Sequence, residues 1–183
     1  MPNWCSNHGF IKLPTNASPE AVAAFRALSK VEDDKDEWFA KVLPCPPEAD
    51  WYEWRIRRYG TKWDVTPSLA VTDDQINFSF ESAWAPPLEF FKHLAEAYGL
   101  HYQIQYSEPG CCFGGTASYD GDFQDKYVEN EEYLVAAVDE FGEPIESVLC
   151  VESYESFDAF CKAHKIDSPR LKDLVRDYYR DHN

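Results

Sequence analysis

Alternating apolar and polar residues predict strands in the first 120 residues of the chain. The clearest case is 76–81, where Ile76, Phe78 and Phe80 alternate with polar residues, as expected for a strand with one buried face. Two further strands are predicted on either side of a Glu108-Pro109-Gly110 turn. In chain order, the predicted strands are 5–13, 76–81, 101–107 and 112–119, with a short strand or bend at 63–66.

Apolar residues at helical spacing predict helices between these strands. One helix begins at Ser18 and Pro19, because a hydroxyl cap followed by a proline in the first turn favours a helix start. Another begins at Pro86-Pro87 and ends before Gly99, and a short helix spans 51–59. The strand–helix–strand order therefore occurs twice. This order predicts an α+β fold, a β-α-β-β-α-β-like sheet with two helices on one face.

The last third of the chain is predicted to form an acidic extension. Two structures fit its first part: a hairpin of strands 133–139 and 145–151, or a helix over 130–141. Two short helices follow, the second beginning at Ser168-Pro169. The predicted organisation is a domain at 1–120 and a C-terminal extension at 121–183.

Acidic residues outnumber basic ones by 33 to 17, which gives a formal net charge of −16. Because so acidic a chain repels phosphate backbones, we expect neither direct binding of DNA or RNA nor adhesion to anionic membranes. The charge is concentrated, since 120–158 holds thirteen acids and a single base, Lys126. Aromatic residues occur throughout this stretch, which favours an ordered surface over a disordered tail.

The acidic stretch has two interpretations. A carboxylate-rich surface presents charge as a nucleic-acid backbone does, and it attracts a basic groove on another protein by long-range steering. The alternative is a solvated face that serves solubility alone. Under the first interpretation, the partner-binding residues are Asp120, Asp122, Asp125, Glu129, Glu131, Glu132, Asp139, Glu140, Glu143 and Glu146.

Four short motifs occur in a fixed order along the chain: Met1-Pro2-Asn3-Trp4-Cys5-Ser6-Asn7, Tyr59-Gly60-Thr61-Lys62-Trp63-Asp64, Ala83-Trp84-Ala85-Pro86-Pro87 and Glu108-Pro109-Gly110. Together they resemble the YubB-like proteins of phages and conjugative plasmids, whose domain is described as ferredoxin-like. Tyr59 stands where that pattern has a tryptophan, and the acidic stretch lies outside the pattern. The resemblance implies a ferredoxin-like fold and a mobile-element origin, and it implies no reaction.

The leading hypothesis is a non-catalytic binding protein of phage or plasmid type. Its acidic surface would block a basic site, one that normally holds nucleic acid, on a host defence protein. The start of the chain shows no secretory signal, no stretch approaches the ~20 apolar residues that span a bilayer, and six cysteines are expected to remain thiols. These features favour the host cytoplasm.

A second hypothesis is a small-ligand or nucleotide-binding domain that uses the segment 51–64. Tryptophans alternate there with basic residues, so aromatic faces could stack a base while cations hold a phosphate. The alternative is that the tryptophans belong to the core and the cations to a solvated rim. The candidate ligand-binding residues are Trp54, Arg55, Arg58, Lys62 and Trp63.

No catalytic set, cofactor or metal site is predicted. Two Cys-x-x-His pairs, Cys5 with His8 and Cys161 with His164, supply ligand types that zinc prefers. However, Cys5 and His8 are an odd number of residues apart on a predicted strand, which places them on opposite faces. Cys111-Cys112 has no histidine tied to it by any motif, and Gly114-Gly115 lacks the lysine of a phosphate-binding loop.

Overall fold

A computed structural model of the chain describes residues 3–31, 37–139, 157–164 and 167–181. The strands are β1 (Trp4–Lys12), β2 (Ser68–Val71), β3 (Gln75–Ala83), β4 (His101–Glu108), β5 (Phe113–Tyr119) and β6 (Phe123–Glu129). The helices are α1 (Pro19–Leu28), α2 (Trp51–Arg58), α3 (Leu88–Tyr98), α4 (Asn130–Asp139), α5 (Phe157–His164) and α6 (Pro169–Asp181), with a 3₁₀ helix at Phe39–Lys41. Within the described ranges, no helix combines the length and the apolar character needed to cross a membrane.

The strands form one antiparallel sheet in the order β2-β3-β1-β4-β5-β6. β1 lies between β3 and β4, and its register pairs Trp4 with Ala83 and Ser6 with Ser107. The first four strands, together with α1 and α3, form the ferredoxin-like β-α-β-β-α-β arrangement. The predicted α+β fold is therefore confirmed, and β5 and β6 extend its sheet beyond β4.

The main core lies between one face of the sheet and the two helices of that arrangement. In β1, the side chains of Cys5, Asn7 and Ile11 are buried, whereas those of Ser6 and Lys12 are exposed. On the same face, α1 contributes Phe25 and α3 contributes Phe91 to one continuous apolar cluster. Both helices therefore cover a single face of the sheet, as the sequence predicts.

Trp38 stands at the centre of this core. Its ring centroid lies 5.7 Å from that of Phe78, 5.8 Å from that of Phe80 and 6.1 Å from that of Phe90. The buried indole N–H donates a hydrogen bond to the Leu28 carbonyl at 2.8 Å. Since a buried indole N–H needs an acceptor, this bond fixes the chain that follows α1 against the sheet and α3.

The chain folds into two compact units. The first unit comprises Met1–Gly110 and Gly115–Lys126, and the second comprises Cys111–Gly114 and Tyr127–Asn183. The second unit has its own core, in which Tyr133 and Ala137 of α4 pack with Leu171 and Val175 of α6.

Three expectations for local structure concern short or ambiguous segments. The prediction of a hairpin strand at 133–139 is wrong, because the helix α4 occupies Asn130–Asp139 and buries Tyr133 and Ala137 on one side. The alternative prediction of a helix is correct over these residues. The second hairpin strand, 145–151, lies outside the described residues. The segment 63–66 contains no strand and begins with a bend at Trp63, which agrees with the second alternative, and the short strand in that region is β2 at Ser68–Val71.

Candidate functional site

Four aromatic side chains lie around Lys62 in the first unit. The Lys62 ammonium is 4.7 Å from the ring centroid of Trp63, 4.9 Å from that of Trp84 and 5.9 Å from that of Tyr52. All three distances are within cation–π range. The Trp4 ring packs against Trp63, with 5.9 Å between the centroids. We call Trp4, Tyr52, Lys62, Trp63 and Trp84 the aromatic surface.

Most of the aromatic surface faces solvent. The exposed fraction is 49% for Trp4, 43% for Trp84 and 38% for Tyr52. Exposed large apolar groups that cluster mark binding sites more often than scattered ones do. Lys62 carries the only formal charge of the set, and within the described part of the chain no carboxylate forms an ion pair with it.

Backbone pairing brings distant segments together at this surface. The β1–β3 register places Trp4 opposite Ala83, and the Trp84 N–H donates to the Asn3 carbonyl at 2.9 Å. The buried Thr61 hydroxyl donates to the Ala83 carbonyl, also at 2.9 Å, and so fixes the chain that carries Lys62. Three of the four motifs that carry the family resemblance therefore form one local structure.

Trp84 has a left-handed backbone, with φ of 68°. A bulky side chain rarely adopts this conformation, because its Cβ crowds the backbone. The turn is held by the Ser82 hydroxyl, which donates to the Ala85 carbonyl at 2.7 Å. Strained backbone at an exposed aromatic residue is typical of a functional position rather than of a packing position.

A buried polar group lies at the same end of β1. The Asn7 amide donates to the Cys5 carbonyl at 2.6 Å and to the Ser82 hydroxyl at 2.9 Å. Burial, and next the nearby Glu108 carboxylate, raise the pKa of the Cys5 thiol to about 12. Since the nucleophile is the thiolate, a thiol held protonated in this way is suited to packing.

Asp64 anchors the other end of the Lys62–Trp63 segment. Its carboxylate accepts hydrogen bonds from the backbone N–H groups of Phe39 at 2.8 Å, Ala40 at 2.9 Å and Val65 at 2.8 Å. Burial raises the pKa of Asp64 to about 6, although these three bonds act in the opposite direction. Asp64 therefore ties the segment that carries Lys62 and Trp63 to the 3₁₀ helix at Phe39–Lys41.

The structure separates the five predicted ligand-binding residues into two places. Lys62 and Trp63 belong to the aromatic surface. Trp54 packs against the core, with its ring 5.2 Å from that of Tyr59, and together with Arg58 it lines a groove on the other flank of α2. Arg55 pairs with Glu37 at 2.6 Å and takes no part in either place.

Sequence reasoning missed Trp4, Tyr52 and Trp84 as site residues. Trp4 and Trp84 lie far from the segment 51–64 in sequence, so local spacing gave no indication of their proximity to Lys62, whereas Tyr52 lies inside that segment. A usable signal was nevertheless present. Trp4 and Trp84 both stand inside motifs that carry the family resemblance.

In the first unit, the predicted acidic residues Asp120, Asp122 and Asp125 are all exposed. Asp120 and Asp122 lie in the turn between β5 and β6, and Asp125 lies in β6. No cation in the described residues forms an ion pair with any of the three. They are therefore available for long-range interaction with a partner.

In the second unit, two of the predicted acidic residues serve the fold. Glu131 accepts hydrogen bonds from the backbone N–H groups of Asp167 at 2.8 Å and Ser168 at 2.9 Å, just before α6. Asp139 binds Arg170 through two bonds, at 2.6 Å and 2.7 Å, which lower the pKa of its carboxyl. Glu129 and Glu132 are exposed, whereas Glu140, Glu143 and Glu146 lie outside the described residues.

The two Cys-x-x-His pairs belong to different units of the chain. Cys5 is buried and His8 is exposed, on opposite faces of β1, as the strand geometry predicts. Cys161 and His164 lie on α5. In the described portion of the chain, no group of three or more histidine, cysteine or acidic side chains is arranged to hold a metal ion.

Comparison with known proteins gives one family match. Residues 58–146, just under half of the chain, match a family model described as a ferredoxin-like domain in Api92-like protein. This match supports a ferredoxin-like family, and it does not confirm the resemblance to YubB-like proteins. Neither the curated proteins nor the solved structures yielded a match to the chain.

The raised pKa of Asp64 has a consequence for stability. Between its ordinary value of 3.8 and about 6, the folded protein holds a proton that the unfolded chain releases. The stabilisation is complete below the lower value and is lost as the pH rises through the upper one. We therefore expect the free energy of unfolding of the wild type to fall, relative to that of Asp64→Asn, as the pH rises across this range. Urea denaturation at a series of pH values measures both free energies of unfolding. If the wild-type value minus the Asp64→Asn value stays constant or rises with pH, the expectation is contradicted.

Proposed function

We propose that this protein is a non-catalytic binding protein that docks onto a basic partner protein through the aromatic surface. The observation that carries the proposal is the cluster of exposed rings around Lys62, built from segments far apart in the sequence. Tryptophan and tyrosine are the side chains that contribute most to protein interfaces when a partner buries them. The rings here are already positioned by backbone hydrogen bonds, so little conformational entropy is lost on binding.

Charge supports a basic partner. The chain carries a net charge of −16, and Asp120, Asp122 and Asp125 are exposed and form no ion pair within the described residues. Exposed charges contribute mainly to the rate of encounter, because the cost of removing water from them offsets much of their attraction once the partner is bound. We therefore assign the acidic residues to steering and the aromatic surface to contact. This division modifies the hypothesis that the acids themselves form the contact.

The resemblance to YubB-like proteins supplies the proposed setting. A phage or plasmid protein in the host cytoplasm meets host proteins whose basic sites hold nucleic acid, defence proteins among them. A steered, tightly held acidic protein would block such a site by occupying it. No covalent bond needs to form or break for this effect.

The small-ligand function remains a second candidate, because one observation favours it. Trp54 and Arg58 line a groove of about 210 Å³ on α2, away from the aromatic surface. An apolar wall beside a guanidinium suits a ligand with a flat ring and an anionic group. Docking and ligand binding use different flanks of α2, so they are tested separately.

Replacement of Trp84 tests the contact surface. Because φ at this residue is 68°, glycine fits the backbone better than tryptophan does, and Trp84→Gly should change the free energy of unfolding by no more than about 1 kcal/mol. A partner is first captured from host lysate and purified. Its dissociation constant is then measured by calorimetry, and we expect an increase of roughly tenfold or more for Trp84→Gly.

Tyr127→Ala is the matched control, since Tyr127 is an aromatic residue of the second unit with 54% of its surface exposed. It should leave the dissociation constant unchanged. If the partner binds the wild type and Trp84→Gly with equal affinity, the aromatic surface is not part of the interface.

Neutralisation of the exposed acids tests the steering role. The triple variant Asp120→Asn, Asp122→Asn, Asp125→Asn should lower the association rate constant several-fold at low salt and leave the dissociation rate constant unchanged. A control variant, Glu20→Gln, Glu48→Gln, Asp73→Asn, removes the same charge from other exposed positions and should have a smaller effect. Surface plasmon resonance across a salt series separates the two rate constants. A change confined to the dissociation rate constant would show that these acids make contact instead.

A further inference from the structure

We propose that the groove between α2 and α3 is a binding site for an oxyanion, of the phosphate or sulfate type, attached to a flat apolar group. The half that would hold the anion is a depression of about 140 Å³, lined by Arg57 and Arg58 of α2 and by Glu89, Lys92, His93 and Glu96 of α3. The inference is independent of docking by the aromatic surface. It gives the small-ligand candidate a site and a ligand class.

The basic side chains of this groove are weakly engaged. Arg58 forms no ion pair within the described ranges. Arg57 lies 3.6 Å from Glu53 and Lys92 lies 3.9 Å from Glu96, and both pairs are long and largely exposed. Exposed ion pairs of this kind contribute less than about 1 kcal/mol to stability. The groove therefore offers guanidinium and ammonium donors that an anion can recruit, in a chain that otherwise has about two acids for each base.

His93 lines this groove, and its imidazole is held toward the neutral form. Burial, and next the nearby Arg58 guanidinium, lower the pKa of His93, while Glu96 acts in the opposite direction. The Tyr98 ring packs edge-on against the imidazole at 5.7 Å, and Arg57, Lys92 and Glu89 complete the surroundings of the groove. An anion between Arg58 and His93 offsets their repulsion. Its binding should therefore favour the protonated imidazole and strengthen as the pH falls.

The apolar half adjoins the same two arginines. Ala49 and Trp54 form its apolar wall, and Asp50 and Glu53 complete the lining. Because Arg57 and Arg58 line both depressions, one ligand can place its anionic group between the helices and a ring against Trp54. Asp50 is occupied as the N-cap of α2, where it accepts two backbone N–H bonds. The carboxylates near the wall favour a ligand that bears a single anionic group.

Calorimetric titration with phenyl phosphate, inorganic phosphate and phenol at pH 7.5 tests the site. We expect phenyl phosphate to bind more tightly than inorganic phosphate, and phenol not to bind. Arg58→Gln should weaken the binding of phenyl phosphate by about tenfold, the usual effect of losing one charge-assisted contact. Arg26→Gln changes an exposed arginine on α1 and should have no effect. Circular dichroism confirms that both variants are folded.

The pH dependence is measured with phenyl sulfate, whose charge is constant between pH 5.5 and 7.5. Its affinity should rise several-fold at the lower pH, and His93→Gln should abolish that rise. Absence of binding by both phosphates, equal binding to Arg58→Gln and Arg26→Gln, or binding of phenol as tight as that of phenyl phosphate would each overturn the proposal. None of these outcomes bears on the affinity of Trp84→Gly for a protein partner. Oxyanion binding in the groove can therefore be disproved without disproving protein docking by the aromatic surface.

Discussion

The pairing of β1 between β3 and β4 is the constraint on which the rest of the first unit depends. Gly9 permits the close approach to β4, since a Cβ at this position would overlap the carbonyl of Gln103. The register then places Trp4 opposite Ala83 and brings the Asn3 carbonyl within reach of the Trp84 N–H. A shift of one residue would turn every side chain of β1 to the other face and separate the rings. The aromatic surface is thus a product of strand register.

The functional assignment separates two physical effects that the sequence presents together. Charge acts over about 10 Å at moderate salt and sets how fast a partner arrives, whereas buried rings set how long it stays. Asp120 and Asp122 lie in an exposed turn, suited to the first effect. Trp4 and Trp84 are held by backbone bonds, suited to the second. Two of the acidic residues stabilise the fold instead, because Glu131 and Asp139 bind the start of α6 in the second unit.

The sequence predicted the parts of the fold whose pattern is local. β1, β3, β4 and β5 were predicted because each alternates between a buried and an exposed face or flanks a clear turn. β6 was not predicted, since it is an edge strand that exposes all of its residues except Val128, so no alternation marks it. The hairpin predicted at 133–139 reflects the same ambiguity. Val135 and Val138 suit a strand and a helix equally, and the packing of Tyr133 with α6 decides between them.

The candidate site was only partly predictable for a similar reason. Lys62 and Trp63 are neighbours, so spacing found them, whereas Trp4 and Trp84 join them only through long-range pairing. The most direct test of the contact assignment is hydroxyl-radical footprinting of the purified protein, free and saturated with its purified partner. We predict that Trp4, Tyr52 and Trp84 lose most of their reactivity in the complex, while Tyr127 keeps its own. Unchanged reactivity of Trp4 and Trp84 in the saturated complex would contradict it.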